Sequence, residues 1–184
     1  MRRALDVAGA TLLLAITSPV LAASALAIRL GDGGPVFYRQ RRVGLGGREF
    51  ELLKLRTMVV GAERQGAGYA VNRGDPRITK AGKVLRRLSI DELPQLWNVL
   101  KGDMSLVGPR PHPTDDFDQY SLEHLRRLDV MPGVTGLWQV TARRDPSFER
   151  NMALDLQYIE NWSLWLDFQI LLKTLPAVVA GYGE

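Results

Sequence analysis

Two adjacent carboxylates, Asp91 and Glu92, followed closely by Pro94, are the residues of this 184-residue chain with the clearest capacity for chemistry. Proline is tolerated in the first turn of a helix but not in its interior, so Pro94 predicts a helix that begins close to Asp91, with Asp91 at or beside the N-cap. A carboxylate there is held ionised by free backbone N–H groups and the helix dipole. That suits a plain cap, and it equally suits a nucleophile or metal ligand. Adjacent side chains on a helix point about 100° apart, so Asp91 and Glu92 cannot share one role. One can attack or hold a metal while the other orients or moves a proton. Arg86 and Arg87 precede the pair, and the rigid Gly108-Pro109-Arg110-Pro111 turn follows it. Guanidinium groups suit planar, bidentate phosphate recognition. Carboxylates, a divalent cation and several arginines are the parts required for phosphoryl transfer. The Gly-rich stretch Pro132-Gly133-Val134-Thr135-Gly136 adds a loop that could approach a nucleotide closely, although such a loop alone is weak evidence.

The remaining composition narrows the chemistry. The chain has no cysteine, which removes disulfides, thiolate metal sites and cysteine nucleophiles. His112 and His124 lack partners at metal-ligand spacing and read as surface or packing residues. No phosphate-loop, nucleophile-elbow or zinc pattern is present. The formal net charge of +4 hides an asymmetry: residues 29–110 carry sixteen basic and eight acidic groups, whereas residues 111–184 carry six and eleven. The basic middle calls for an anionic partner: nucleic acid, a phosphorylated small molecule or an anionic membrane surface.

These groups must be positioned by a chain whose first segment is membrane-seeking. Val7 to Ile28 is an uncharged run of 22 residues, roughly 33 Å as a helix and long enough to cross a hydrocarbon core. Three readings compete. A signal peptide fits the basic start and the small residues at Ala22-Ala23-Ser24-Ala25. A spanning helix fits the length, but both flanks are basic, which favours two ends on the cytoplasmic side. A re-entrant helix broken at Ser18-Pro19 satisfies both observations, with the Thr17 and Ser18 hydroxyls placed to serve freed backbone groups.

Downstream, the extended runs Val36–Val43 and Glu49–Met58 around Gly44-Leu45-Gly46-Gly47 predict a β-hairpin whose basic side chains read, one by one, as a solvated strand face. Residues Gly61 to Asp75 read as a mobile loop. Helical patterns cover Lys80–Leu88, Leu93–Leu100, Asp115–Asp129, Phe148–Leu166 and Phe168–Val179. The aromatic residues of the last segment, including Trp162, Trp165 and Phe168, suit either a membrane interface or core packing. The expected fold is α+β and mainly helical. Taken with the family resemblance set out next, it has two parts: a re-entrant membrane helix at residues 1–30, and a cytosolic, membrane-associated catalytic domain at residues 31–184 that carries the β-hairpin and interfacial amphipathic helices.

Across nearly its whole length the chain resembles the bacterial sugar transferases known as monotopic phosphoglycosyl transferases. The resemblance rests on the basic start with Asp6, Ser18-Pro19, Gly34-Pro35-Val36-Phe37-Tyr38-Arg39-Gln40, Arg42-Val43-Gly44 and Lys54-Leu55-Arg56-Thr57-Met58. It continues through Asp75-Pro76-Arg77-Ile78-Thr79, Asp91-Glu92-Leu93-Pro94-Gln95, Gly108-Pro109-Arg110-Pro111 and Pro132-Gly133-Val134-Thr135-Gly136, in the family's order and spacing. It implies transfer of a sugar 1-phosphate from a UDP-sugar to polyprenol (undecaprenyl) phosphate, with release of UMP. This would be the first membrane step of assembling a capsule, exopolysaccharide, O-antigen or glycoprotein glycan.

By the same resemblance, Asp91 is the nucleophile and the Mg²⁺ ligand, Glu92 its essential partner, and Lys54 a further catalytic residue. Arg110, Arg143 and Asp167 fall at family positions near the active site, and Gln139 lies in the stretch associated with the nucleotide. Arg56, Arg86 and Thr135 complete the expected substrate-binding set. Met131 and Ala142 stand where the family usually has Arg and Gly, so nucleotide contacts there should differ. Without the extra N-terminal helices of larger members, the chain reads as a minimal catalytic unit. Its expected location is the bacterial inner membrane, with the catalytic domain on the cytoplasmic face and membrane lipids as partners. Nucleic acid is not an expected partner, and a homodimer is left open. The competing class is a non-catalytic membrane adaptor that binds anionic lipid.

Overall fold

The computed structural model describes residues 1–65, 74–114, 120–142 and 147–179. It is α+β and mainly helical, as expected. The Ala- and Leu-rich start forms α1 (Arg2–Asp32), one continuous helix that ends on Gly33 in the left-handed region (φ 71°). Where a break is expected at Ser18-Pro19, the helix runs on without interruption. Pro19 has no N–H to give the Ala15 carbonyl, and the Ser18 hydroxyl donates to that same carbonyl at 2.8 Å. Thr17 makes the equivalent bond to Leu13 O at 2.7 Å.

One stripe of α1 lies on the rest of the protein. Asp6, Ala10, Ser24 and Ile28 are buried, and Leu14 and Leu21 pack against core clusters, at three- and four-residue spacing. The opposite face exposes Leu12, Leu13, Ile16, Val20, Leu26 and Leu30. Both ends are fastened to the same body. At the start, Ser105 Oγ and Leu106 N donate to Asp6 at 2.9 Å, and Arg3 donates to the carbonyls of Val99 (2.5 Å) and Leu100 (2.9 Å). At the far end, Asp32 receives the fork of Arg56 at 2.7 and 2.5 Å.

The predicted hairpin is present: β1 (Phe37–Val43) pairs antiparallel with β2 (Glu49–Leu55), in a register running from Phe37 opposite Leu55 to Val43 opposite Glu49. Gly46 (φ 64°) and Gly47 (φ 76°) make its turn. Next come α2 (Lys80–Arg87), a 3₁₀ turn at Ile90–Glu92, and α3 (Gln95–Lys101). Asn98 of α3 uses its amide as a strand would, accepting from Leu53 N at 3.0 Å and donating to Glu51 O at 2.7 Å, which locks α3 to the edge of β2. Leu52, Leu96, Val99, Met104 and Ala10 fill the core between them.

A second sheet was not anticipated. The short strands β3 (Ser105–Val107) and β4 (Gly133–Thr135) pair in parallel, Ser105 opposite Gly133 and Val107 opposite Thr135. After β4 come α4 (Leu137–Thr141), α5 (Phe148–Glu160) and α6 (Leu164–Val179), in place of the expected Phe148–Leu166 and Phe168–Val179. The helix expected over Asp115–Asp129 is not formed in the described part, which is turns and a 3₁₀ stretch at His124–Asp129; residues 115–119 lie outside the described residues. Only the ends of the expected 61–75 loop are described. Val107, Tyr158 and Ile170 form the core of this half.

Candidate active site

A cavity of about 540 Å³ opens between β1, β2, the 57–63 segment, the 3₁₀ turn and α4. Strand alternation places Tyr38, Gln40 and Arg42 of β1 along it, while Arg39 and Arg41 point outward to Glu51 (3.5 Å) and Glu49 (3.9 Å). The solvated-face reading therefore holds for Arg39 and Arg41 and fails for Arg42 and Lys54.

Asp91 and Glu92 both line the cavity. The expected helix start is displaced: α3 begins at Gln95, and Asp91 sits in the separate 3₁₀ turn, where no side chain caps a backbone N–H. Ser89 produces this turn by adopting φ 54°, the positive-φ non-glycine position among the described residues. Such backbone strain in a non-glycine residue is concentrated at functional sites.

The two carboxylates have different surroundings. Glu92 receives Lys54 Nζ at 3.4 Å and is gripped by both terminal nitrogens of Arg110, Nη1 at 3.2 Å and Nη2 in a still shorter contact. Asp91, 9% exposed, makes no hydrogen bond or ion pair with any described residue. Burial, reinforced by the negative charge of Glu92, pushes its carboxyl up to about 6, against the opposing pull of Lys54, Arg86 and Arg110. Burial likewise lowers the Lys54 ammonium, with Glu92 opposing. Arg86 lines the cavity with its guanidinium uncommitted to any described residue, close enough to Asp91 to influence its charge. Arg110 is steadied from behind: Arg127 donates to its carbonyl at 2.6 Å and is itself paired with buried Asp155 at 2.7 Å.

The structure thus brings together Lys54, Arg86, Asp91, Glu92, Arg110 and Gln139. Arg56 reaches the same cavity wall, but Asp32 and the Pro35 carbonyl (2.6 Å) occupy its donors, so here it clamps α1 to β2. Thr135 and Asp167 do not line the cavity. Thr135 is buried and bonded to Thr174 at 2.9 Å. Asp167 accepts from Tyr158 at 2.6 Å and Trp162 at 3.1 Å and pairs with Arg2 at 3.4 Å, which ties the start of α1 to α5 and α6. Arg143 lies outside the described residues.

The Gly-rich stretch has a packing role. A Cβ at Gly133 would sit 2.1 Å from Gly108 N, and one at Gly136 would sit 2.4 Å from Gly108 O. These glycines let β3 and β4 and their following turns pack backbone against backbone. Tyr38, Gln40, Arg42 and Trp138 are cavity residues that the sequence reading did not single out as site residues; period-two alternation from Tyr38 was the signal for the first three. His112 behaves as a packing residue, its ring held neutral because burial and then Arg127, Arg42 and Arg110 drive its pKa down to about 2.

Mg²⁺ is normally held by one or two carboxylates together with substrate phosphates and water rather than by an all-protein cage. Among the described residues no group of three or more His, Asp or Glu forms such a cage. An unpartnered, buried carboxylate at Asp91, facing a cavity lined by cations, fits that mode of binding.

The chain belongs to the bacterial sugar transferase family, whose pattern residues 1–181 match, and the protein is accordingly a transferase. Among its relatives is the UDP-glucose:undecaprenyl-phosphate glucose-1-phosphate transferase of Caulobacter vibrioides, 48% identical over 97% of this chain and 69% of that protein. The exopolysaccharide production protein ExoY of Rhizobium meliloti is 41% identical over 100% of this chain and 87% of its own length. The galactosyl transferase CpsE of Streptococcus agalactiae is 45% identical over 99% of this chain, which spans 43% of that protein.

Proposed function

We propose that this protein transfers a sugar 1-phosphate from a UDP-sugar to undecaprenyl phosphate, releasing UMP, through a phosphosugar carried on Asp91. The observation that carries this reading is the division of labour in the carboxylate pair: Glu92 holds Lys54 and Arg110, and Asp91 is left without a partner among the described residues, in a cationic cavity. The names of the relatives supply the donor and acceptor classes.

In the first step an Asp91 oxygen attacks the phosphorus nearer the sugar. The bond from that phosphorus to the bridging oxygen breaks, and the bridging oxygen departs on UMP. In the second step an oxygen of the acceptor phosphate attacks the same phosphorus and returns the Asp91 carboxylate. Lys54, Arg86 and Arg110 supply the positive charge for the phosphate oxygens. Gln139 and Trp138 also line the cavity and are available to the nucleoside or sugar. Asp91 together with the donor's phosphate oxygens would hold Mg²⁺, which would supply charge neutralisation for the donor's diphosphate and for the departing UMP.

The same reading places α1 in the cytoplasmic leaflet of the inner membrane, with both ends on the cytoplasmic side. Two observations support it: α1 is fastened at Arg2, Arg3 and Asp6 and again at Asp32 to one body, and its outward face is predominantly apolar, with Leu12, Leu13, Ile16, Val20 and Leu26 exposed. A helix spanning the bilayer could not return both ends to one domain. The test is UMP release by lipid-reconstituted protein given undecaprenyl phosphate, Mg²⁺ and a panel of UDP-sugars. Release that depends on both acceptor and Asp91 is expected. Equal release by Asp91→Asn, or none with any donor, contradicts the assignment.

A further inference from the structure

We propose that Arg127 and Asp155, both outside the cavity, are positioning residues for the transfer reaction: they fix the turn from which Arg110 reaches Glu92. The inference rests on the function proposed above and concerns the same site.

Arg110 enters the cavity from Pro109-Arg110-Pro111, a turn in which two of the three residues have no N–H to spend on internal bonds. Its three successive carbonyls are all served from other parts of the chain. Gly133 N donates to Pro109 O at 2.9 Å, Arg127 Nη2 to Arg110 O at 2.6 Å, and Arg42 Nη1 to Pro111 O at 2.9 Å. The proline rings restrict φ on either side, so the main freedom left in the turn is at Arg110 itself. The bond from Arg127 fixes the orientation of the Arg110–Pro111 peptide, next to the Cα whose side chain grips Glu92. A displacement of about 1 Å in a charged group of a reacting constellation can cost about a hundredfold in rate.

Arg127 is in turn held in one orientation. It is buried, its Nη2 lies 2.7 Å from Asp155 Oδ2, its Nη1 donates to the Tyr120 hydroxyl in a short contact, and its guanidinium carbon stands 5.7 Å over the Tyr120 ring. Asp155 comes from α5 and is wholly buried, with Arg127 as its ion-pair partner among the described residues. A buried pair is a weak source of stability, because desolvating two charges costs about as much as their attraction returns. Its use here is directional: a carboxylate in a fixed place aims a guanidinium at one carbonyl. Arg126 provides the contrast. It joins the same 3₁₀ stretch to α5 through Glu160 at 2.9 Å, but both side chains are about half exposed and neither lines the cavity.

The test is kcat for UMP release by lipid-reconstituted protein, with melting temperature measured alongside. In Arg127→Lys the buried charge pair survives, but a single ammonium cannot reproduce the guanidinium fork that serves Asp155, Tyr120 and the Arg110 carbonyl together. In the double variant Arg127→Met, Asp155→Leu, apolar side chains replace the pair and no charge is left buried. Both should melt within a few degrees of wild type and lower kcat about tenfold, while Arg126→Gln leaves kcat unchanged. In an Arg110→Gln background the same changes should cost no more than about twofold, because the side chain they position is gone. A purely structural role would instead multiply the two losses. Multiplied losses, wild-type kcat in both variants, an equal loss in Arg126→Gln, or failure of both variants to fold each overturn the proposal. Absence of UMP release from wild type with any donor would instead contradict the function on which it rests.

Discussion

Glu92 accepts both Lys54 and Arg110, and Asp91, the next residue back along the chain, accepts from neither. The cations neutralise one carboxylate directly and act on the other only through space. Asp91 thereby stays available as a nucleophile while its charge is tolerated. Positive groups still lower its pKa, but burial and the adjacent Glu92 outweigh them.

That balance carries a stability cost that Asp91→Asn should remove. A carboxyl raised from 3.8 to about 6 by folding destabilises the native state by roughly 3 kcal/mol once ionised. The penalty is absent below the unfolded value near pH 4 and complete above pH 6. Asp91→Asn, assayed with chelator present, should therefore melt several degrees higher than wild type at pH 7.5, and the gain should vanish near pH 4. A lower melting temperature at pH 7.5 would contradict the electrostatic description.

Glu92→Gln should change both the rate and the pH dependence of the first half-reaction. In wild type, UMP formation should rise through a single ionisation near pH 6 as Asp91 loses its proton. Glu92 is one of the groups that raise Asp91, so its removal should move this acid limb to lower pH. Loss of the partner for Lys54 and Arg110 should lower the rate about a hundredfold. An unmoved limb would mean that the titrating group is not Asp91.

Ser18 and Pro19 should be energetically coupled. Ser18→Ala leaves the Ala15 carbonyl unserved and should cost about 1 kcal/mol. In a Pro19→Ala background the restored N–H bonds that carbonyl, and the cost should disappear. Melting temperatures of the four proteins in one detergent measure the coupling; an equal cost of Ser18→Ala in both backgrounds would refute it.

Gly133→Ala should act on folding rather than on nucleotide affinity. The added methyl would meet Gly108 N at 2.1 Å across the β3–β4 pair. A loss of more than 3 kcal/mol of stability is expected, measured by denaturant titration. A stable variant with weakened UDP-sugar binding would restore the nucleotide-loop reading.

How far these features could be read from sequence depended on the kind of signal each residue carried. Asp91, Glu92, Lys54 and Arg110 belong to dense motifs, and the structure gathers them in one cavity. The β-hairpin was legible from its glycine turn, and α2 from its periodicity. Strands β3 and β4 are three residues each, too short for a periodic pattern, and their pairing joins segments far apart in the chain. Asp167 and Thr135 carry polar side chains that suit either a site or an internal bond. Which it is depends on Tyr158, Trp162, Arg2 and Thr174, brought to them only by tertiary packing. Pro19 pointed to a break, whereas α1 runs on through it with the Ser18 hydroxyl on the Ala15 carbonyl.

The covalent step is the centre of the proposal, and single-turnover chemistry without acceptor addresses it most directly. Purified protein mixed with its UDP-sugar and Mg²⁺, but no polyprenol phosphate, should release up to one equivalent of UMP. The intact protein should gain the mass of one sugar phosphate, located by fragmentation on Asp91. Added undecaprenyl phosphate should then discharge it. Absence of UMP until acceptor is present, or attachment at a residue other than Asp91, would contradict a phosphosugar carried on this carboxylate.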